Sequence, residues 1–331
     1  SCSDPQDKYA AAGTSRWDPV VVACFRPLRG WRAQRVNSNG KRPVVFNRSE
    51  GFEDLPVELP CGRCIGCRLE RSRQWAIRCV HEASCHEDNC FITLTYSDDN
   101  IPEDRSVDVR EFQLFMKKFR KKYYPKTIRY FHCGEYGDED MRPHYHALIF
   151  GHDFEDKYRW QYRNGHWLYR SDELESLWKL GFSSVAGLTF ESAAYVARYT
   201  MKKVTGPDAV DHYSWFDRET GAFYERRPEY VTMSRGGRTG KGIGVEWLER
   251  YGHELWPDDF TVIEGKKVPI PSYYDQAIPE DRAREIRMKR KQGARGYRMS
   301  KENSPERRKV REKVMEKRVE TFQPRSIGKE K

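Results

Sequence analysis

The sequence predicts an α+β protein built on a central antiparallel sheet with flanking helices, and two observations lead to this fold class. Segments typical of helices and strands follow one another in the order helix, strand, helix, hairpin, helix, strand, helix. Two of the strands, 128–135 and 143–150, are separated by a short acidic turn, which indicates a β-hairpin and therefore antiparallel pairing.

Each predicted element rests on the spacing of its apolar residues. Residues 90–96 alternate β-branched and other side chains, as a strand with two different faces does. Residues 68–86 and 109–123 repeat apolar side chains at helical spacing, with Lys and Arg on the other side. A helix over 191–204 is stopped by Gly206 and the proline after it. The other expectations are an irregular stretch over 1–60 with a short strand at 20–22, a helix at 172–180, strands at 183–188 and 230–233, and helical structure beyond 279.

Charge is distributed unevenly along the 331 residues, which carry a net charge of +10. Residues 281–331 hold 19 Lys and Arg against 8 Asp and Glu, and the rest of the chain is close to neutral. A basic tail of this kind favours a polyanionic partner such as nucleic acid, and Arg290 and Lys291 are predicted to bind DNA. The alternative is a solvated extension that only aids solubility.

Two large classes of protein do not fit the composition. Aromatic residues make up 13% of the chain, which argues against wholesale disorder. No stretch approaches the roughly 20 apolar residues of a membrane span, and the first residues lack the pattern of a secretion signal. We therefore expect no membrane partner and a cytoplasmic location.

Nine cysteines occur in the chain, and Cys61, Cys64 and Cys67 follow one another at two-residue intervals. Structural zinc favours four ligands with short local spacings of this type, and Cys24 is a candidate for the fourth thiolate. An iron–sulfur cluster is a weaker alternative, and ordinary thiols are another. A disulfide framework is not expected without export.

Two histidines, His144 and His146, lie two positions apart in the second strand of the predicted hairpin. Alternate side chains of a strand share a face, so both imidazoles are expected to point the same way. Glu135, at the end of the partner strand, is placed to add a carboxylate. Such a set suits Mg2+ or Mn2+ and leaves coordination positions open for a substrate oxygen. Taken alone, a histidine pair of this kind is more often packing or surface than ligand.

Tyr195 and Tyr199 are four residues apart, so a helix presents both phenols on one side. A tyrosine hydroxyl that attacks a phosphodiester leaves a free 3′-OH and a 5′-phosphotyrosine, which keeps the energy of the broken bond for rejoining. Lys202, one turn further on, is a candidate to orient the phosphate or the phenol, and Arg198 and Lys203 are candidate DNA contacts. A lone tyrosine pair is usually core, so this prediction depends on its occurrence together with the histidines.

These segments resemble the motifs of the HUH endonucleases, the initiators of rolling-circle replication. Residues 91–96 are similar to the first motif of that family, and residues 142–146 match its His-hydrophobic-His metal motif. Glu135 stands where related initiators often place a third ligand. Residues 195–202 resemble the two-tyrosine motif of initiators of small single-stranded-DNA phages, with Arg198 where lysine is commoner. Arginine keeps the charge but cannot donate a proton.

Residues 60–68, with Trp75 after them, further resemble the replication-associated proteins of microviruses of the gokushovirus type. The resemblance implies an HUH-like fold with about five antiparallel strands, Mg2+ or Mn2+, and sequence-selective nicking of single-stranded DNA at a phage origin. It also implies action in the cytoplasm of a bacterial host. A host helicase and polymerase are expected partners, because the sequence has no glycine-rich phosphate loop for unwinding.

The predicted organisation has four parts: a cysteine-bearing segment over 1–67, an HUH endonuclease domain over 68–205, an accessory region over 206–280 and a basic helical tail over 281–331. Two other functions stay open. One is a non-catalytic zinc- and nucleic-acid-binding protein, in which the histidines and tyrosines are structural. The other is an HUH nickase that serves plasmid mobilisation or transposition.

Overall fold

The structure is a computed structural model that describes residues 24–137, 140–163, 165–198, 208–218, 220–236, 241–256 and 258–322. The helices are α1 Ile65–Ala83, α2 Val109–Lys122, α3 Asp172–Leu177, α4 Phe190–Arg198, α5 Asp208–Tyr213, α6 Val245–Tyr251, α7 Glu280–Gly293, α8 Arg295–Arg298 and α9 Pro305–Phe322. The strands are β1 Leu28–Ala33, β2 Val44–Val45, β3 Gly51–Leu59, β4 Asn89–Thr95, β5 Arg129–Tyr136, β6 Pro143–Phe150, β7 Tyr158–Arg163, β8 His166–Arg170, β9 Ser183–Gly187, β10 Ser214–Phe216, β11 Phe223–Glu225, β12 Tyr230–Met233, β13 Phe260–Ile263 and β14 Lys266–Pro269.

A seven-stranded antiparallel sheet forms the centre of the fold, with the strand order β12-β5-β6-β4-β9-β8-β7. Strands β5 and β6 are the predicted hairpin, and β4 pairs with the other side of β6. The sheet is wider than the five strands that the family resemblance implied, because the β7–β8 hairpin and the edge strand β12 join it. The β7–β8 hairpin was missed because its mostly exposed strands lack an apolar alternation.

Alternation along β4 decides which helices cover each face of the sheet. Ile92 and Leu94 face α2, where they pack with Phe112 and Phe119. Phe91 points the other way and packs with residues of α1 and α4. Fully burying a side chain of this size contributes roughly 1.5–3 kcal/mol, so the core holds helices on both faces. The predicted α+β architecture is confirmed at this level.

The predicted helices and strands of the sheet agree with the structure to within a few residues. Helix α1 begins at Ile65, earlier than predicted, because the Cys64 side chain accepts a hydrogen bond from the backbone N–H of Cys67 and caps the helix. Helix α4 begins at Phe190. The end predicted for it at residue 204 lies outside the described residues, as does the strand predicted at 20–22.

The segment from residue 24 to residue 59 is more regular than expected. It forms a three-stranded sheet with the order β2-β1-β3. Because β1 and β3 are largely exposed and contain Gly, Pro and several charged residues, they do not show the apolar alternation of a half-buried strand. This sheet leads directly into the cysteines that precede α1.

The C-terminal elements pack back onto the first part of the chain. His81 of α1 stacks on Trp247 of α6 with ring centroids 3.5 Å apart, and its Nδ1 atom lies 2.9 Å from the Tyr274 hydroxyl. Arg26 donates a 2.8 Å hydrogen bond to the buried carboxylate of Glu312 on α9. No helix in the described part of the chain is long and apolar enough to cross a membrane.

Candidate functional site

The two histidines lie on β6, in the interior of the sheet between β4 and β5. His144 is opposite Glu135 of β5, and His146 is opposite Thr93 of β4. The two imidazole rings are parallel to within 3° and their centroids are 6.4 Å apart, so both point to the α1–α4 face of the sheet as expected.

An oxygen atom lies at the Nδ1 atom of each imidazole. His144 Nδ1 is 2.6 Å from the backbone carbonyl oxygen of Arg142, and His146 Nδ1 is 3.0 Å from Thr93 Oγ1. A proton on Nδ1 satisfies both contacts and leaves Nε2 as the ligand atom, which is the usual arrangement of metal-binding histidines. Burial and the neighbouring His146 lower the pKa of His144, so this ring is neutral near pH 7.

The buried carboxylate of Glu135 contacts one of the two rings. Its Oε1 atom is 2.6 Å from His146 Nε2. Neighbouring ligand atoms on an octahedral cation with bonds of about 2.1 Å are about 3.0 Å apart, so these two atoms fit such a cation after a small shift. Three or more His, Cys, Asp or Glu donor atoms lie within 4.8 Å of one another only at the cysteine cluster, as far as the structure describes the chain. His144 must therefore turn toward Glu135 to become a third ligand.

Tyr195 of α4 brings its phenol to the same place. Its hydroxyl oxygen is 3.4 Å from Glu135 Oε1, and its ring meets the His146 ring edge-on with centroids 5.2 Å apart. The guanidinium carbon of Arg198 is 5.6 Å from the centroid of the Tyr195 ring. The structure therefore brings one tyrosine, one carboxylate and one imidazole into direct contact. The other residues predicted on this helix, Tyr199, Lys202 and Lys203, lie outside the described part of the chain.

The four predicted thiolates come together in one cluster. The Sγ atoms of Cys24, Cys61, Cys64 and Cys67 all lie within 4.8 Å of one another. The Cys61–Cys67 sulfur distance is 4.0 Å and the Cys64–Cys24 distance is 3.9 Å, so the cysteines are unbridged. A tetrahedral zinc with Zn–S bonds of about 2.3 Å separates its sulfurs by about 3.8 Å. The cluster can therefore hold a tetrahedral metal ion with little movement.

Backbone N–H groups surround these sulfurs. The N–H groups of Arg63 and Cys64 lie 3.4 and 3.3 Å from the Cys61 sulfur, and the N–H of Phe25 lies 3.4 Å from the Cys64 sulfur. Burial would raise the pKa of Cys61, but the N–H groups of Cys64 and Arg63 lower it to about 7. The loop thus stabilises thiolate charge, which is the form that binds metal.

Arg290 has a structural environment that the tail prediction did not anticipate. Its guanidinium forms ion pairs with Asp259 at 2.5 Å and Asp275 at 2.7 Å, and these two carboxylates raise its pKa. Arg290 therefore joins α7 to the segment before it. Lys291 is exposed. The prediction that these two residues bind DNA stays a prediction, and the ion pairs make Arg290 the weaker candidate.

Thr93 is a site residue that the sequence analysis did not single out. Its hydroxyl holds the ring of His146, as described above. A signal for it exists in the sequence, because Thr93 and Thr95 are hydroxyl residues at alternate positions of an otherwise apolar strand. Alternate positions share a face, so these residues lie beside the histidines of the neighbouring strand.

Comparisons with known proteins place the chain in the class of bacteriophage replication proteins. A family model described as replication-associated protein ORF2 matches residues 89–204, which include the hairpin with the histidines and the tyrosine helix. The replication-associated protein VP4 of Bdellovibrio phage phiMH2K is 31% identical over 261 residues, which cover 76% of this chain and 75% of VP4. The chain belongs to this family of replication-associated proteins, as the resemblance predicted.

Two further relatives have the same description. The replication-associated protein ORF2 of Spiroplasma virus 4 is 28% identical over 281 residues, which cover 78% of this chain and 81% of that protein. The replication-associated protein ORF4 of Chlamydia phage 1 is 36% identical over 234 residues, which cover 66% of this chain and 53% of that protein. No solved structure matches the chain significantly.

Proposed function

We propose that this protein nicks single-stranded DNA at the replication origin of its phage through a tyrosine, and rejoins the strands during rolling-circle replication. The observation that carries the proposal is the position of the Tyr195 hydroxyl, 3.4 Å from the Glu135 oxygen that contacts His146. A purely DNA-binding role does not require a phenol directed at a buried carboxylate–imidazole pair. Membership of the replication-associated family supports replication as the process.

In the proposed reaction, the phenolic oxygen of Tyr195 forms a bond to the phosphorus atom of the scissile phosphodiester. The bond from phosphorus to the 3′ oxygen breaks, the phenol loses its proton and the 3′ oxygen gains one. The products are a 5′-phosphotyrosine and a free 3′-OH, and attack by a 3′-OH reverses the step. Glu135 accepts a hydrogen bond from the phenol and so orients it, while Arg198 adds positive charge beside the phosphate.

Glu135, His144 and His146 are the proposed ligands of Mg2+ or Mn2+. When bound, such an ion polarises a phosphate oxygen and stabilises the charge that develops there. The donor set fits a hard divalent cation, because it combines a carboxylate with two imidazoles that are anchored at Nδ1. Thr93 and the Arg142 carbonyl keep the two rings oriented.

The remaining assignments extend the predictions made from the sequence. Tyr199 is proposed as the second nucleophile, which receives the strand or returns it, and Lys202 as a cation that orients the phosphate. Lys203 and Lys291 are proposed phosphate contacts. We place the reaction in the cytoplasm of the bacterial host, where a host helicase and polymerase open and copy the duplex.

Incubation of the full chain with DNA tests the proposal. Single-stranded oligonucleotides that tile the phage genome and carry a 3′ label should give a covalent protein–DNA adduct with Mn2+ and none with EDTA. We expect His146→Ala to lower the adduct yield at least about 10-fold, because a ligand is lost, whereas His212→Ala at an exposed position should not. Tight binding without an adduct on any oligonucleotide would instead establish a non-catalytic binding protein.

For the cysteine cluster we propose structural zinc. Four sulfurs at tetrahedral distances, with backbone N–H donors around them, fit this ion and hold the strand β3 end to the start of α1. We expect protein purified without added metal to contain about one zinc per chain, and Cys64→Ser to lose it. Cys85→Ser, outside the cluster, is the control. A metal content below about half an equivalent, or iron in place of zinc, would contradict the assignment.

A further inference from the structure

The β7–β8 hairpin is the part of the sheet whose surface the proposed nicking reaction does not yet explain. From Lys157 to Arg170 the chain contains four basic residues, five Tyr or Trp residues and no acidic residue. Four of the aromatic side chains, Tyr158, Trp160, Tyr162 and Trp167, are between 38% and 59% exposed. Exposed aromatic residues among cations are typical of surfaces that bind single-stranded nucleic acid.

The register of the strands shows which side of the hairpin faces the candidate active site. Tyr169 pairs with Val185, and both belong to the core on the α2 side of the sheet. The residues that alternate with Tyr169, such as His166 and Arg170, therefore lie on the α4 side, as His144 and His146 do. His166 Nε2 contacts Glu191 Oε2 of α4 at 3.4 Å, which agrees with this orientation.

The two sides of the hairpin carry different aromatic clusters. On the α4 side Tyr158 is opposite Arg170, and the guanidinium carbon of Arg170 lies 5.6 Å from the centroid of the Trp160 ring. A break in the register between residues 159 and 161 makes Trp160 an extra residue in the strand. On the other side Tyr162 and Trp167 are directly opposite each other, with ring centroids 5.2 Å apart. This second cluster stabilises the hairpin itself.

The hairpin is close to the tyrosine helix but does not occupy the site. Glu191, which His166 contacts, precedes Tyr195 by four residues, or about 6 Å along the helix. Strand β8 is three positions from β6 in the sheet, and at about 4.8 Å per position this separation is about 14 Å. A DNA strand that reaches Tyr195 can therefore extend over the hairpin within a few nucleotides.

We propose that the α4 side of the β7–β8 hairpin binds the single strand beside the nick, with bases stacked on Tyr158 and Trp160 and phosphates near Arg163 and Arg170. This inference rests on the proposed function, because it assumes that a single strand reaches Tyr195. Stacking on aromatic rings tolerates any base, so the hairpin contributes affinity and strand direction rather than origin sequence. Duplex DNA, whose bases are already stacked, gains nothing from these rings.

Binding measurements on the full chain test the hairpin directly. Fluorescence anisotropy with a single-stranded oligonucleotide, and with the duplex of the same sequence, gives both affinities without any need for cleavage. We expect Trp160→Ala to weaken single-strand binding by about 5-fold or more and to leave duplex binding unchanged. Trp160→Phe should restore most of the affinity, because it keeps a ring. Trp167→Ala, on the opposite side of the same hairpin, is the matched control and should bind as the wild type does.

The outcomes separate this inference from the nicking proposal. If the wild type forms adducts but Trp160→Ala binds the single strand normally, the hairpin inference is wrong and the nicking proposal stands. If no adduct forms but Trp160→Ala loses single-strand binding, the hairpin surface stands and the nicking proposal fails. Equal losses for single strand and duplex would mean phosphate contact without stacking, and a changed oligomeric state with normal DNA binding would mean contact between copies of the chain. Either result would overturn the inference.

Discussion

Tyr195→Phe is expected to abolish the covalent protein–DNA adduct, with a loss of at least about 1,000-fold, because it removes the attacking oxygen. Phenylalanine keeps the ring and its edge-on contact with His146, so the fold and DNA binding should be preserved. The measurement is the yield of 3′-labelled DNA attached to the protein in a denaturing gel, with Mn2+ present. Anisotropy on the same oligonucleotide checks that binding is retained.

Two further variants make this result specific. Tyr124→Phe, at a side chain that is 84% exposed, should react as the wild type does. Tyr199→Phe should still make the first cut but fail to transfer the strand, since Tyr195 is the phenol that contacts Glu135. An adduct that persists in Tyr195→Phe and disappears in Tyr199→Phe would reverse the proposed order of the two tyrosines.

Glu82→Ala is expected to lower the free energy of unfolding by about 3–5 kcal/mol, because it leaves a buried cation without its partner. The Glu82 side chain is fully buried in α1. Its Oε1 atom is 2.9 Å from Arg129 Nη1 on β5, and its Oε2 atom accepts a 2.7 Å hydrogen bond from the Gly244 N–H. The carboxylate thus joins three parts of the chain. Urea unfolding followed by circular dichroism measures the change.

The same residue predicts a dependence on pH. Burial alone would raise the pKa of Glu82, but hydrogen bonds from His86 and Gly244 and the charge of Arg129 lower it below its ordinary value of 4.5. Its contribution is therefore complete near neutral pH and is lost as the pH falls through the lowered value. Glu82→Gln should remove this part of the acid sensitivity. Glu87→Ala, at an exposed position of the same type, should change stability by less than about 0.5 kcal/mol, and an equal loss in both variants would contradict the argument.

The parts of the fold that the sequence predicted well are those with strong local patterns. Strand β4, helix α2 and the β5–β6 hairpin each show their own apolar period, and the hairpin alone brings Glu135 opposite His144. The orientation of both histidines follows from the period of a strand and needs no distant partner. For this reason the centre of the candidate site could be placed before any coordinates were available.

Other features depend on partners far away in the chain, and no local pattern reports them. His81 contacts Tyr274, 193 positions later, and this buried pair decides where the C-terminal elements pack. Arg290 carries the charge of a DNA contact in the sequence, yet Asp259 and Asp275 use that charge to hold α7. The β7–β8 hairpin was missed for a different reason. Its exposed aromatic residues suit a binding surface and so obscure the apolar period of a strand.

The contact between Arg26 and Glu312 joins residues 286 positions apart and lies beside the cysteine cluster, since Arg311 of the same helix is stacked over Phe25. A ribosome releases the nascent chain from its N-terminus, so the cysteine loop emerges long before α9 has been synthesised. The side of the loop that α9 covers stays open until translation is nearly complete. A polypeptide from a prematurely stopped message would keep the histidine hairpin but expose this flank to cellular proteases, so the host would remove incomplete copies in preference to finished ones.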